Sequence, residues 1–303
     1  RDFYTNFTER VLARSGSNLS SDPKNAIGEN VIRVENDQVL RWRAWVNLKH
    51  RVPSASVRLF CCPWAGGNSL AFECWPEQMP GVEVIPLLLP GRLTRAGENA
   101  MTSVTDIVTM AVEALCGLHL LKNEDIPYFF YGHEFGALVA FEICRRVHEE
   151  FPVKGLFVSS MSSPQARTVY ERQKMTLLCQ LSPSGDFQQG KNVEFERAML
   201  RRGPPLPQEL VENRDLMEIF TPLWYADLRA VDSYEYENGV LLECPIFSFG
   251  GSKDDQQDME SWAIESVSTK SENVIFPGDS FFLLDPDTEA KMLRFIRDRC
   301  TNE

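Results

Sequence analysis

Tyr128-Phe129-Phe130-Tyr131-Gly132-His133-Glu134-Phe135-Gly136-Ala137-Leu138 reads as an apolar strand, a tight turn with a glycine two residues either side of its apex, and the start of a helix. Glycines at those two places relieve crowding where strand and helix cross, and the apex residue is thrust above the sheet. That is the geometry of a nucleophile elbow. Its apex, serine in most hydrolases, is here Glu134.

Working outward, short apolar runs alternate with helical patterns. Val57 to Pro63, Val82 to Pro90, Tyr128 to Gly132, Lys154 to Ser159, Pro245 to Gly250 and Asn273 to Pro277 read as strands. Val104, Ile107, Val108, Ala111, Leu115 and Leu118 recur at helical spacing, and Ser103 to Asp106 suits the helix start. Continuous apolar strands alternating with helices imply a parallel sheet covered on both faces. From about 164 to 243 the pattern turns helical, polar and proline-punctuated, as a lid inserted into the domain would. Asp285-Pro286 opens a last amphipathic helix running to Cys300. Residues 1–44 are expected to form an arm outside the domain 45–303: Phe3, Phe7 and Val11 share a helical face, followed by a Ser/Asn/Asp/Gly-rich stretch. Arg41-Trp42-Arg43-Ala44-Trp45 mixes cations with indoles that would grip a partner, but alternation of this kind reads first as an edge strand covered on one face.

The composition bounds the function. With 303 residues, 43% hydrophobic and 24% charged, the chain has ample material for a core. Its net charge of -12 opposes a phosphate backbone, so nucleic acid is not expected as a partner, and no apolar run is long enough to span a membrane. Eight cysteines without a CxxC pair read as small core hydrophobes in a reducing compartment, the cytosol or an organelle matrix. The start at Arg1, with Asp2 and Glu9 close by, reads as a mature or trimmed chain, so a mitochondrial or plastid matrix after removal of a presequence stays open. Two glycosylation tripeptides, at Asn6 and Asn18, carry little weight because such sequences are frequent by chance.

A set of further motifs recurs in order. Trp45, Pro53 and Arg58-Leu59-Phe60-Cys61-Cys62-Pro63-Trp64-Ala65-Gly66-Gly67 come first, then Pro90-Gly91-Arg92 and Gly132-His133-x-x-Gly136-Ala137. Tyr225-Ala226-Asp227-Leu228-Arg229 and Cys244-Pro245-Ile246 follow. Together they resemble the type II thioesterases, including the animal oleoyl-acyl-carrier-protein hydrolases, over about Trp45 to Cys300. The resemblance implies an α/β-hydrolase fold: a mostly parallel central sheet flanked by helices, with a helical lid insertion. It implies an acyl chain or acyl carrier protein as partner, and neither cofactor nor metal.

Carried over residue by residue, the resemblance puts the family's acid on Asp254 and its oxyanion-hole donors on the backbone NH groups of Trp64 or Ala65 and of Phe135. Its nucleophile position is Glu134. Its general base, a His in a Gly-Gly-His-Phe-Phe-Leu signature, aligns with Ser280 in Gly278-Asp279-Ser280-Phe281-Phe282-Leu283. Only His50, His119, His133 and His148 exist, so nothing beyond residue 148 supplies an imidazole, and the family's turn points His133 away from the apex. Because triad members act as a unit, either loss forfeits most of the rate. Glu134 near the start of a helix would also be favoured electrostatically without doing chemistry, and Asp254 and Ser280 have equally bland readings as a loop cap and as drift.

Three readings therefore compete. The first is a non-catalytic subunit held in a larger assembly through the arm. The second is a binder of acyl chains or acyl carrier protein, with Phe220, Trp224 and Tyr225 of the lid lining a channel. The third is an acyl-thioester hydrolase or transferase of altered chemistry, with Glu134 as a base paired with Asp254.

Overall fold

The computed structural model describes residues 37–52, 54–121, 126–166, 212–237, 239–254 and 257–302. Most of the expected arm and of the lid, residues 1–36 and 167–211, lie outside the described residues.

Six strands, β1 (Val57–Cys62), β2 (Val82–Pro86), β3 (Tyr128–His133), β4 (Gly155–Ser159), β5 (Ile246–Gly251) and β6 (Glu272–Phe276), form one sheet in the order β2-β1-β3-β4-β5-β6. Every pairing is parallel. The first five strands are buried at every residue, which is why they read as unbroken apolar runs rather than alternating ones. Alternate side chains still go to opposite faces. Phe60, Cys62, Phe130, Leu156 and Val158 join the core with helices α1 (Val104–Gly117) and α2 (Phe135–Val147). Leu59, Cys61, Phe129, Tyr131 and Phe157 join the other core. That second core is closed by Trp75 and by the C-terminal helix; the long helix α3 (Arg214–Asp232) precedes the latter, which is α4 (Pro286–Asn302).

The expected caps are present. Ser103 accepts from the Asp106 NH at the start of α1, and Asp285 accepts from the Thr288 NH at the start of α4. The second strand ends at Pro86, short of the expected Pro90, where the chain turns to meet residues 45–47. Of the described cysteines, five are buried, Cys116 is partly so and Cys74 is exposed.

The stretch Arg41 to Trp45 is not an edge strand. Residues 37–43 are helical and dock on α1: Gln38 and Trp42, one turn apart, both donate to the Glu113 carboxylate. The Trp42 ring occupies the space left by Gly117, where a Cβ would lie 2.4 Å from the nearest ring atom. Tertiary docking of the indole overrides the local alternation. Only past this turn does the chain become extended, with Val46 bridging Leu87 antiparallel and Trp45 C=O accepting from Leu88. Gly117→Ala is accordingly expected to destabilise the protein by about 1–3 kcal/mol through overpacking, although alanine is the better helix former. A shifted denaturation midpoint together with a red-shifted Trp42 emission would check it.

Candidate active site

The strand-turn-helix reading of the elbow holds. β3 ends at His133, α2 begins at Phe135, and Glu134 between them has φ 48° and ψ -119°. A side chain at Gly132 would put Cβ 2.1 Å from the Gly136 carbonyl, and one at Gly136 would put it 2.2 Å from the Cys62 carbonyl. Both glycines are therefore demanded by the crossing of helix and strand. The Glu134 NH donates to the Ser159 carbonyl at 2.8 Å, which fixes the apex above the ends of β3 and β4.

Glu134 keeps part of its surface exposed, yet its carboxyl is pushed up to about 8, first by burial and then by the nearby Asp254 carboxylate. Asp254 sits in the turn after β5, its NH bonded to the Gly251 carbonyl. The neighbouring Lys253 NH donates to Gly278, and a Cβ on Gly251 would collide with the Asp279 carbonyl, so this turn is fitted against the loop that carries Ser280. Ser160, itself at φ 52°, donates through Oγ to the Ser280 carbonyl at 2.7 Å. The turns bearing Glu134, Asp254 and Ser280 thus meet at the C-terminal end of the sheet. A carboxyl raised in the folded state favours folding below its ordinary value of 4.5 and loses that contribution as pH rises toward about 8. Glu134→Gln is expected to raise the denaturation midpoint at pH 9 relative to the natural chain, with the difference closing near pH 4.5. A pH-independent offset would refute the assignment.

His133 is wholly buried. Its Nδ1 lies 2.7 Å from Ser159 Oγ, which in turn lies 3.0 Å from the Tyr131 hydroxyl. Trp64, Phe281 and Phe282 surround the ring edge-on. Burial depresses its pKa to about 3, so it stays neutral and faces the core, not the apex. The other histidines are remote by topology. His119 and His148 follow the C-terminal ends of α1 and α2, which run antiparallel to the strands and so finish at the opposite edge of the sheet. His50 lies between Lys49, paired with Glu73, and Arg51, paired with Glu83 of the outer strand β2.

The loop after β1 is held from above. The Gly66 NH donates to Asp227 at 2.7 Å, and Arg92 donates to the Gly67 carbonyl at 2.8 Å. Arg92 and Asp227, both nearly inaccessible, close the set with two hydrogen bonds of 3.0 and 2.8 Å. Helix α3 also lays Phe220 on Gly66 and Leu223 on Gly91, positions where an added Cβ would meet them at 2.7 and 3.0 Å. The clamp fixes the backbone of Trp64, Ala65 and Gly66 beside the elbow. Its two halves stand in the sequence as the separate motifs Pro90-Gly91-Arg92 and Tyr225-Ala226-Asp227-Leu228-Arg229, and only the fold brings them together. Among the described residues no cluster of three or more His, Cys, Asp or Glu is arranged to hold a metal, and no helix is long and apolar enough to cross a membrane.

Comparison with known proteins agrees with this architecture. The family model described as Thioesterase domain matches residues 57–300. The gramicidin S biosynthesis protein GrsT of Aneurinibacillus migulanus is 33% identical over 86% of this chain and 93% of its own length. The medium-chain S-acyl fatty acid synthase thioesterase of Rattus norvegicus is 30% identical over 83% and 90%. The solved structure of RedJ superposes with a TM-score of 0.66 at 26% identity, covering 81% of this chain and 92% of that one. The type II thioesterase BorB, at 21% identity and a TM-score of 0.65 over 85% and 98%, shares the fold.

Proposed function

The chain belongs to the thioesterase family, and on that premise we propose that it is a catalytically degenerate member, serving as a structural or assembly subunit of a larger complex rather than as a turnover enzyme. The observation that carries the reading is Glu134 at the strained apex with its carboxyl raised to about 8 and every described histidine turned away or distant. A carboxyl that holds its proton near neutral pH is a poor nucleophile. Were it to attack a thioester, the resulting anhydride would need a base-activated water, and the position aligned with the family's base is Ser280. Asp254, next to Glu134, then raises its neighbour's pKa instead of orienting an imidazole.

A second reading, a binder of acyl chains or of acyl carrier protein, draws on Phe220 and Trp224, their rings tilted against each other with centroids 5.3 Å apart over the loop at Gly66. Two measurements separate the possibilities. The purified chain is expected to hydrolyse neither acyl-CoA nor acyl-carrier thioesters, short or long, above a denatured control, and turnover abolished by Glu134→Ala would overturn the proposal. Calorimetric titration with the same acyl-CoAs tests the second reading, which fails if no heat of binding accompanies an intact fold.

A further inference from the structure

Among the described residues, half of the exposed large hydrophobic side chains lie on the side of the sheet that ends in β6. Leu242 bridges Ser266, and the Val267 NH donates to the Leu242 carbonyl. This stitches Val240 and Leu241 to Val267 and, through the adjoining turn Glu260–Glu265, to Ile264. Val240 is 59% exposed and Val267 62%. The outermost strand β6 adds Ile275, beside Met259 at the foot of the same turn, and no described strand pairs with its outer edge. Exposed apolar side chains strung along an open strand edge mark a site of association.

Charge decides what covers it. Between residues 230 and 290 the chain has 14 acidic residues against two basic ones, Lys253 and Lys270. Not all of these carboxylates face the apolar residues: Glu265 is buried, and Glu272 of β6 is paired with Arg299 of α4. Glu243 and Glu260, both exposed, flank the apolar residues directly. A second copy would bring two such rims together, and an anionic bilayer or a nucleic acid would be repelled in the same way. We propose that this end of the sheet, Val240, Leu241, Ile264, Val267 and the β6 edge, docks an apolar segment rich in Lys and Arg from another protein, laid along β6 as an added strand. The inference rests on the reading of the chain as an assembly subunit and names the surface and the chemistry of its partner.

The test uses the full chain in extracts of its source cells. Native mass is compared for the natural protein, for Ile264→Asp/Val267→Asp, and for Glu243→Lys/Glu260→Lys, while a photo-reactive residue at Val267 reports what lies there. All changes are at exposed positions, and unchanged melting temperatures of the purified variants verify the fold. Both variants are expected to lower the fraction of chain in the large species by about tenfold or more, and the cross-linked peptide is expected to be apolar with basic flanks. A natural chain found in a complex whose mass neither variant alters overturns the surface but spares the assembly reading. A natural chain that is monomeric in the extract overturns both. A cross-link to lipid, to a second copy or to residues 1–36 of the same chain overturns the partner.

Discussion

Asp227→Ala is expected to cost about 3–5 kcal/mol of folding stability, the largest effect of any single change at the site, because it strands the buried Arg92 guanidinium. It also leaves the Gly66 NH without its acceptor. Arg92→Ala should cost a similar amount by stranding the carboxylate. Removing both, as Arg92→Met/Asp227→Leu, should cost clearly less than the two single effects added, since no uncompensated charge stays buried; the two peptide groups of the loop keep some penalty. Chemical denaturation of the four proteins checks this, and additive losses would mean that the pair does not act as one unit.

The second expectation concerns restored chemistry. The elbow backbone, the clamped loop and Asp254 are in place, so Glu134→Ser combined with Ser280→His should create a serine that a fluorophosphonate labels and a measurable thioesterase. Each single change should do almost nothing, because a serine without a base is a poor nucleophile and a histidine without a nucleophile has no proton to take. Turnover of the double variant should exceed that of either single variant by at least about a hundredfold. Asp279, where the family has its second glycine, keeps the rescue partial by adding a charge next to the new imidazole. A double variant that is folded yet inert to both probe and thioester would refute the idea that only two side chains separate this chain from its active relatives.

What could be read from the sequence follows from what is local. The first five strands were legible because burial on both faces writes them as apolar runs, and the elbow was legible because only glycine tolerates 2.1 and 2.2 Å approaches to backbone. The helix at 37–43 was not: its cause is an indole finding the gap at Gly117, far along the chain. The clamp was hidden for the same reason, Arg92 and Asp227 standing 135 residues apart. The inward turn of His133 was expected from the resemblance alone, while its partner Ser159 had no signal, a buried serine looking like any other strand residue. The raised carboxyl of Glu134 needed the Asp254 turn brought beside it, which no spacing rule conveys.

The way the chain enters its sheet bears on how the molecule can be dissected. The family match begins at residue 57, but Trp45 and Val46 are already core, Trp45 and Asn47 tie the backbone beyond β2, and Arg95 stacks on the Trp45 indole at 4.6 Å. A recombinant fragment cut at the family boundary would open the barren edge of β2, leave an indole-sized hole above Gly117 and precipitate or swap strands with its neighbours. An autonomous unit has to keep Trp42, Trp45 and Val46, and truncation series or fusion partners that remove them would report on a broken domain, not on a missing arm.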